Sequence, residues 1–193
     1  MSSSSANGVF PLRMKQAMTK KKPANSGNIP GETSGCSDCV KAIDALANGD
    51  LDRWRGLPSA CTRADVERVL SLVTREVNES NPYSGPLNYA PTPGAPNGLT
   101  VHYGVGAVDY ITVVSPRLKR PIQEMLGEPE GKIQSNLEGA SEQWVYPVLG
   151  LAFHMEFGEQ GVNWLYVFGP TTLEVYKTSL LSRVRTLRHK SDK

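Results

Sequence analysis

The chain has 193 residues, 39% hydrophobic and 21% charged, with a formal net charge of +2. That suits one domain or two small ones, and no stretch reaches the roughly 18–20 consecutive apolar residues that a membrane span needs. Residues 1–35 carry +4, residues 177–193 carry +5 and the body between them −7, so this is not a uniformly basic protein, and attraction to phosphate or anionic lipid is confined to its ends.

Residues 1–35 are rich in Ser, Asn, Gly, Pro and Lys, lack periodicity and read as a disordered basic tail. Val9-Phe-Pro-Leu12 is too short and broken for a signal-peptide centre. The expected location is cytoplasmic, or an organelle if the Ser-rich, acid-poor start is a transit peptide. Cys36-Ser-Asp-Cys39 has CxxC spacing and Cys61 stands apart. A structural zinc site needs four ligands, and no spacing supplies them. No βαβ pattern supports a redox motif. Free thiols are the expected state, and a disulfide in an oxidising compartment is the next option.

Ser37 or Asp38 caps a first helix running to about Ala47, with Val40, Ile43 and Ala47 on its apolar stripe and Asn48-Gly49 as its stop. Thr62 caps the clearest helical pattern in the chain, with Asp65 in its first turn and Val66, Val69, Leu70, Val73 and Val77 at helical spacing. From Asn78 to Asn97 the proline- and glycine-rich sequence predicts a long irregular loop, with one short strand near Leu87–Ala90. Strands follow at Leu99–Tyr103 and Val108–Val114. Pro121 opens a short helix that Gly127-Glu-Pro129 ends, and residues 131–141 read as a polar connection. Residues 143–168 form the organising stretch: three apolar runs with period-two alternation, separated by Leu149-Gly150 and Gly158-Glu-Gln-Gly161, a three-stranded meander. Thr171-x-x-Glu174 caps a last helix with Leu173, Tyr176, Leu180 and Leu181 inward.

The meander has a predecessor. Gly98-Leu-Thr-Val-His-Tyr103 matches Gly150-Leu-Ala-Phe-His-Met155, Ala107–Val113 matches Gly161–Val167, and Leu87-Asn-Tyr-Ala-Pro91 matches Trp144-Val-Tyr-Pro147. A tandem duplication accounts for this. The expected fold is α+β: two tandem repeats of helix plus three-stranded antiparallel meander, residues 36–116 and 117–182, with helices on one sheet face and a basic tail at 183–193.

Thr62-x-x-Asp65-Val66-x-x-x-Leu70, Leu126-Gly127-x-Pro129 and Trp144-x-Tyr146 before the meander resemble the outer-membrane assembly lipoprotein BamE and the tandem β-lactamase inhibitor protein fold, over residues 60–168. That resemblance implies a protein that holds partner proteins through sheets and loops and is not an enzyme. A lipid-bearing cysteine at the start and the paired cysteines of the secreted inhibitors are missing.

No G-x-S-x-G, P-loop or strand-linked G-x-G-x-x-G occurs, so no catalytic residue, cofactor or metal is expected. The expected function is non-enzymatic protein–protein interaction, as inhibitor, immunity factor or assembly scaffold, through an exposed sheet face and the Pro-rich loop. Its candidate binding residues are Tyr89, His102, Trp144, Tyr146, His154 and Trp164, because aromatic residues on a sheet serve as interface anchors. The partner is another protein. Alternatives are nucleic-acid or anionic-surface binding by the tails, and a small-ligand or metal site where His102 and His154 share one groove.

Overall fold

A computed structural model describes residues 33–73, 86–135, 137, 139–157 and 161–180. The fold is α+β around one antiparallel sheet of seven strands: β1 (Leu87–Tyr89), β2 (Leu99–Tyr103), β3 (Val108–Val114), β4 (Gly131–Gln134), β5 (Ala140–Tyr146), β6 (Leu151–Glu156) and β7 (Val162–Phe168). Their order in space is β1-β2-β3-β7-β6-β5-β4. Two meanders therefore meet at a central seam between β3 and β7. Strand β4 lies where the sequence predicts only a polar connection.

The two meanders share one register. Tyr89 pairs with Leu99 as Tyr146 pairs with Leu151. Val101 faces Ile111 as Phe153 faces Leu165, and His102 faces Tyr110 as His154 faces Trp164. Each hairpin shifts register just after its histidine, at His102/Tyr103 and His154/Met155. Both enter their central strand through a left-handed glycine, Gly98 at φ 84° and Gly150 at φ 65°. A β-carbon at Gly98 would strike the Tyr89 carbonyl oxygen, and one at Gly150 that of Phe168. Only glycine allows both the conformation and the approach. Across the seam, Ile111 pairs with Val167 and Val113 with Leu165, so Thr112 opposite Tyr166 lies at the centre of a two-fold pattern.

Period-two alternation gives the sheet two faces. Leu99, Val101, Ile111, Val113, Leu151, Phe153, Leu165 and Val167 point into the main core. There they meet helix α1 (Thr33–Asn48) through Ile43 and Leu46, α2 (Arg63–Glu67) through Val66, and α3 (Ile122–Leu126) through Ile122. Burying a side chain such as Phe153 contributes about 1.5–3 kcal/mol. On the other face Val145, Ala152, Tyr166 and Phe168 pack with Leu137, Ala140 and Tyr176. Tyr176 comes from the last helix, α4 (Leu173–Val175), which continues as a π-helical turn over Tyr176–Leu180. The expected one-sided arrangement is thus corrected: under β5–β7 the sheet is covered on both faces. The aromatic side of β7, Trp164, Tyr166 and Phe168, belongs to this second face.

Three helices differ from expectation. Helix α1 begins at Thr33, ahead of the predicted cap at Ser37 or Asp38, so residues 33–35 belong to the helix and not to a disordered tail. Thr62 does cap α2, in a capping box with Asp65, but the helix ends at Glu67. Beyond it the Val73 N–H donates to Asn88 and the Ala90 N–H to Ser71, so backbone pairing with β1 overrides the helical spacing of Val69 and Val73. Val77 lies outside the described residues. The last helix is capped by Thr172, one residue later than predicted, whose hydroxyl accepts from the Val175 N–H. Leu181 and the side chain of Leu180 lie outside the described residues, as do the basic ends, residues 1–32 and 181–193.

Cys39 and Cys61 form a disulfide that ties α1 to the turn before α2. Both are fully buried, so neither is the free thiol expected, and the disulfide alternative is the one adopted. The bridge also removes two of the three thiolates a zinc site would have used.

Candidate functional site

The six predicted binding residues divide between the two faces. Tyr89, Trp144 and Tyr146 point into the main core and are buried. The Tyr89 and Tyr103 hydroxyls share a hydrogen bond of 2.6 Å, and the Tyr146 hydroxyl donates to the Gly127 carbonyl at 2.8 Å. Burial pushes the Tyr146 phenol up to about 12. The Trp144 indole N–H donates to the Glu142 carboxylate, and Lys132 Nζ lies 4.5 Å from the indole centroid. These three aromatics are occupied inside the fold.

His102, His154 and Trp164 occupy the opposite face. His154 and Trp164 are cross-strand neighbours. The two histidines are not. Strands β3 and β7 separate β2 from β6, which is about 14 Å. Through Tyr110 and Phe168, His102 is level with Gly150, four positions from His154 and about 13 Å further along the strands. The shared groove predicted for them does not form. Among the described residues no group of three or more His, Cys, Asp or Glu is placed to hold a metal ion.

His154 is buried in a chain of hydrogen bonds. The Tyr176 hydroxyl donates to Gln143 Oε1 at 3.0 Å, which leaves the Gln143 amide nitrogen to donate to His154 Nε2 at 2.8 Å. The imidazole proton then sits on Nδ1 and is donated to Ser135 Oγ, 2.8 Å away. The Leu137 N–H donates to the same oxygen at 3.1 Å. The network fastens the last helix and the β4–β5 connection onto the sheet. Burial also raises the Tyr176 phenol well above its ordinary value. Sequence reasoning missed Gln143 and Tyr176 as partners of His154. The irregularity between Ala140 and Gln143 in β5 hides which face Gln143 serves.

His102 is half-buried and stacks on Tyr110 with ring centroids 3.9 Å apart. Burial lowers its imidazole to about 4, against an opposing pull from Asp109. Tyr110 is pushed up to about 12, by burial first and the Tyr166 phenol second. Beside this stack the first meander places half-buried Asn88, Thr100 and Val114 around the buried Thr112, with Thr100 Oγ1 donating to Asn88 Oδ1 at 2.8 Å. The positions that match them in the second meander are Val145, Ala152, Tyr166 and Phe168. Smaller side chains, three of the four polar, thus stand where the other half carries an apolar floor. Trp164, half-buried, borders this region opposite Val114.

The Pro-rich loop behaves differently from expectation over its described part. The Gly94 N–H donates to Ala47 at the end of α1, the Arg117 N–H donates to Gly94, and Ala95 is fully buried. This stretch wedges against α1. Pro82 and Gly85 lie outside the described residues. No described helix is long and apolar enough to cross a membrane. Comparison with protein-family models, curated proteins and solved structures finds no match to this chain.

Proposed function

We propose that the chain is a non-enzymatic binding module that holds another protein on the β1–β3 part of the sheet, on the face turned away from α1. One observation carries this reading: at matched positions, Val145, Ala152, Tyr166 and Phe168 receive the chain's own Leu137 and Tyr176, whereas Asn88, Thr100 and Val114, around the buried Thr112, keep a small, half-buried and largely polar surface beside His102, Tyr110 and Trp164. Aromatic anchors beside hydrogen-bonding side chains are what interface centres use. The shared register supports a duplicated unit, residues 36–116 and 117–182, whose copies have diverged, one to take its own C-terminal helix and one to take a partner. The resemblance to BamE and the tandem β-lactamase inhibitor protein fold carries the same implication. Disulfides persist in oxidising compartments, so the Cys39–Cys61 bridge favours such a compartment over the cytoplasm.

Affinity capture with the wild type and Thr100→Arg tests the reading. The wild type should retain one saturable protein partner. The variant, folded by circular dichroism, should lose at least about tenfold in affinity. Absence of a saturable partner, or equal retention by both forms, would sink it.

A further inference from the structure

The two edges of the sheet are finished differently. Beyond β1, Leu72 pairs with Tyr89, the Val73 N–H donates to the Asn88 carbonyl and the Ala90 N–H to that of Ser71, so the chain covers this edge itself. Beyond β4, no described residue adds a further rung. The register shows which groups are left over. Gly131 pairs with Val145 and Ile133 with Gln143, and the Ser135 N–H donates to Ser141 on the same line of pairs. Backbone groups alternate in direction along an antiparallel strand, so Lys132 and Gln134 turn theirs away from β5. Such an open edge is a template for another strand. Glu130, immediately before the strand, and Lys132 are both exposed, and neither forms an ion pair among the described residues.

We infer that this edge pairs with the β4 edge of a second copy of the chain, antiparallel about a two-fold axis at Gly131, so that two sheets run on as one. Charge complementarity selects both the occupant and the register. Outward-turned residues must meet outward-turned residues, which allows axes at Gly131, Lys132 or Ile133. An axis at Lys132 sets the two lysines directly opposite each other, which is repulsive. An axis at Ile133 sets each lysine opposite Gln134, with no counter-charge. An axis at Gly131 sets Lys132 of each copy opposite Glu130 of the other, on the same sheet face, and each such pair exchanges backbone hydrogen bonds. Edge lysines ordinarily deter pairing. The glutamate two positions earlier turns that deterrent into a choice of this one arrangement. Glycine at the axis leaves the central pair free of side chains. Leu173, which lies where a β-carbon of Gly131 would sit, and half-buried Ile133 both gain cover there. So short an edge buries little area, and the dimer is weak and concentration-dependent.

Sedimentation equilibrium of the full chain with its disulfide intact tests this, over a wide protein concentration range at low and at high salt. A reversible monomer–dimer equilibrium that added salt weakens is expected. Glu130→Lys and Lys132→Glu should each weaken it by at least about tenfold. The double exchange, Glu130→Lys/Lys132→Glu, should restore it, because both cross-strand pairs re-form with their signs reversed. Lys132 also lies over the Trp144 ring, so a thermal melt accompanies each variant. Glu130→Lys leaves that contact intact and carries the single-variant test by itself. Thr100→Arg, which tests the β1–β3 surface, should leave the dimer unchanged. The inference is overturned if the wild type stays monomeric, if the dimer survives Glu130→Lys, or if the double exchange fails to restore it. Loss of the dimer in Thr100→Arg would also overturn it, by placing the contact on the β1–β3 surface.

Discussion

The two meanders are built on one register and finished differently. Each has a buried tyrosine on its first strand, a histidine before a register shift on its second, and an aromatic opposite that histidine. In the second meander the histidine is buried and hydrogen-bonded to Gln143 and Ser135, and Tyr176 closes over it. In the first, the histidine only stacks on Tyr110, and Asn88 and Thr100 satisfy each other. Backbone pairing is therefore indifferent to what lies above the sheet. A few side chains at matched positions decide whether a face recruits its own chain or stays free of it.

That contrast can be broken from either side. The largest effect belongs to Tyr176→Ala, which removes the stacking on Phe168 and the donor to Gln143. It should cost about 3–5 kcal/mol in urea unfolding, while Tyr176→Phe keeps the ring and costs about 1–2 kcal/mol. A loss below about 1 kcal/mol for the alanine variant would mean that the cover is not what separates the halves. Next comes the covalent tie of the first half. Cys39 and Cys61 are 22 residues apart in sequence. Replacing both with alanine, which opens that loop, should cost about 3 kcal/mol, read from the denaturant midpoint.

The histidines give a smaller and sharper test. His102 has a folded-state value of about 4, below the ordinary 6.5, because burial disfavours the imidazolium. Its unfolded form therefore binds more protons between these values. Its contribution is whole above about pH 6.5 and is lost as pH falls towards 4, by about 2 kcal/mol after discounting for partial exposure. His102→Gln should flatten this part of the pH–stability curve. If its curve superimposes on that of the wild type, His102 is not protected as described. Smallest of all, Thr100→Val removes the bond to Asn88 and makes the first face resemble the second. It should shift stability by no more than about 1 kcal/mol, and analytical ultracentrifugation should show increased self-association.

Strands β2, β3, β6 and β7 were legible because side chains alternate along each, as Leu151, Phe153 and Met155 do in β6; in β7 the alternation put the main apolar face on Val162, Trp164, Tyr166 and Phe168, whereas Leu165 and Val167 are the residues that enter the main core. The match of Gly98–Tyr103 with Gly150–Met155 carries the common register in the sequence itself. Strand β4 was not legible, because only Ile133 in Gly131–Gln134 is apolar and the strand exists through its pairing with β5. The length of α2 was misjudged for a related reason: Ser71 and Val73 answer to β1, which is distant in sequence. Of the site, the shared facing of His102 and His154 followed from parity. Their separation did not, since it depends on the seam inserting β3 and β7 between them.

The seam has a kinetic corollary. Its pairs join residues such as Val114 and Trp164, while the strand that follows β3 in the chain lies at the far edge of the sheet. Each meander can close through local hairpins, but their union waits for a search over the whole intervening loop. Refolding should thus zip two small ribbons early and weld them late, with the weld setting the pace.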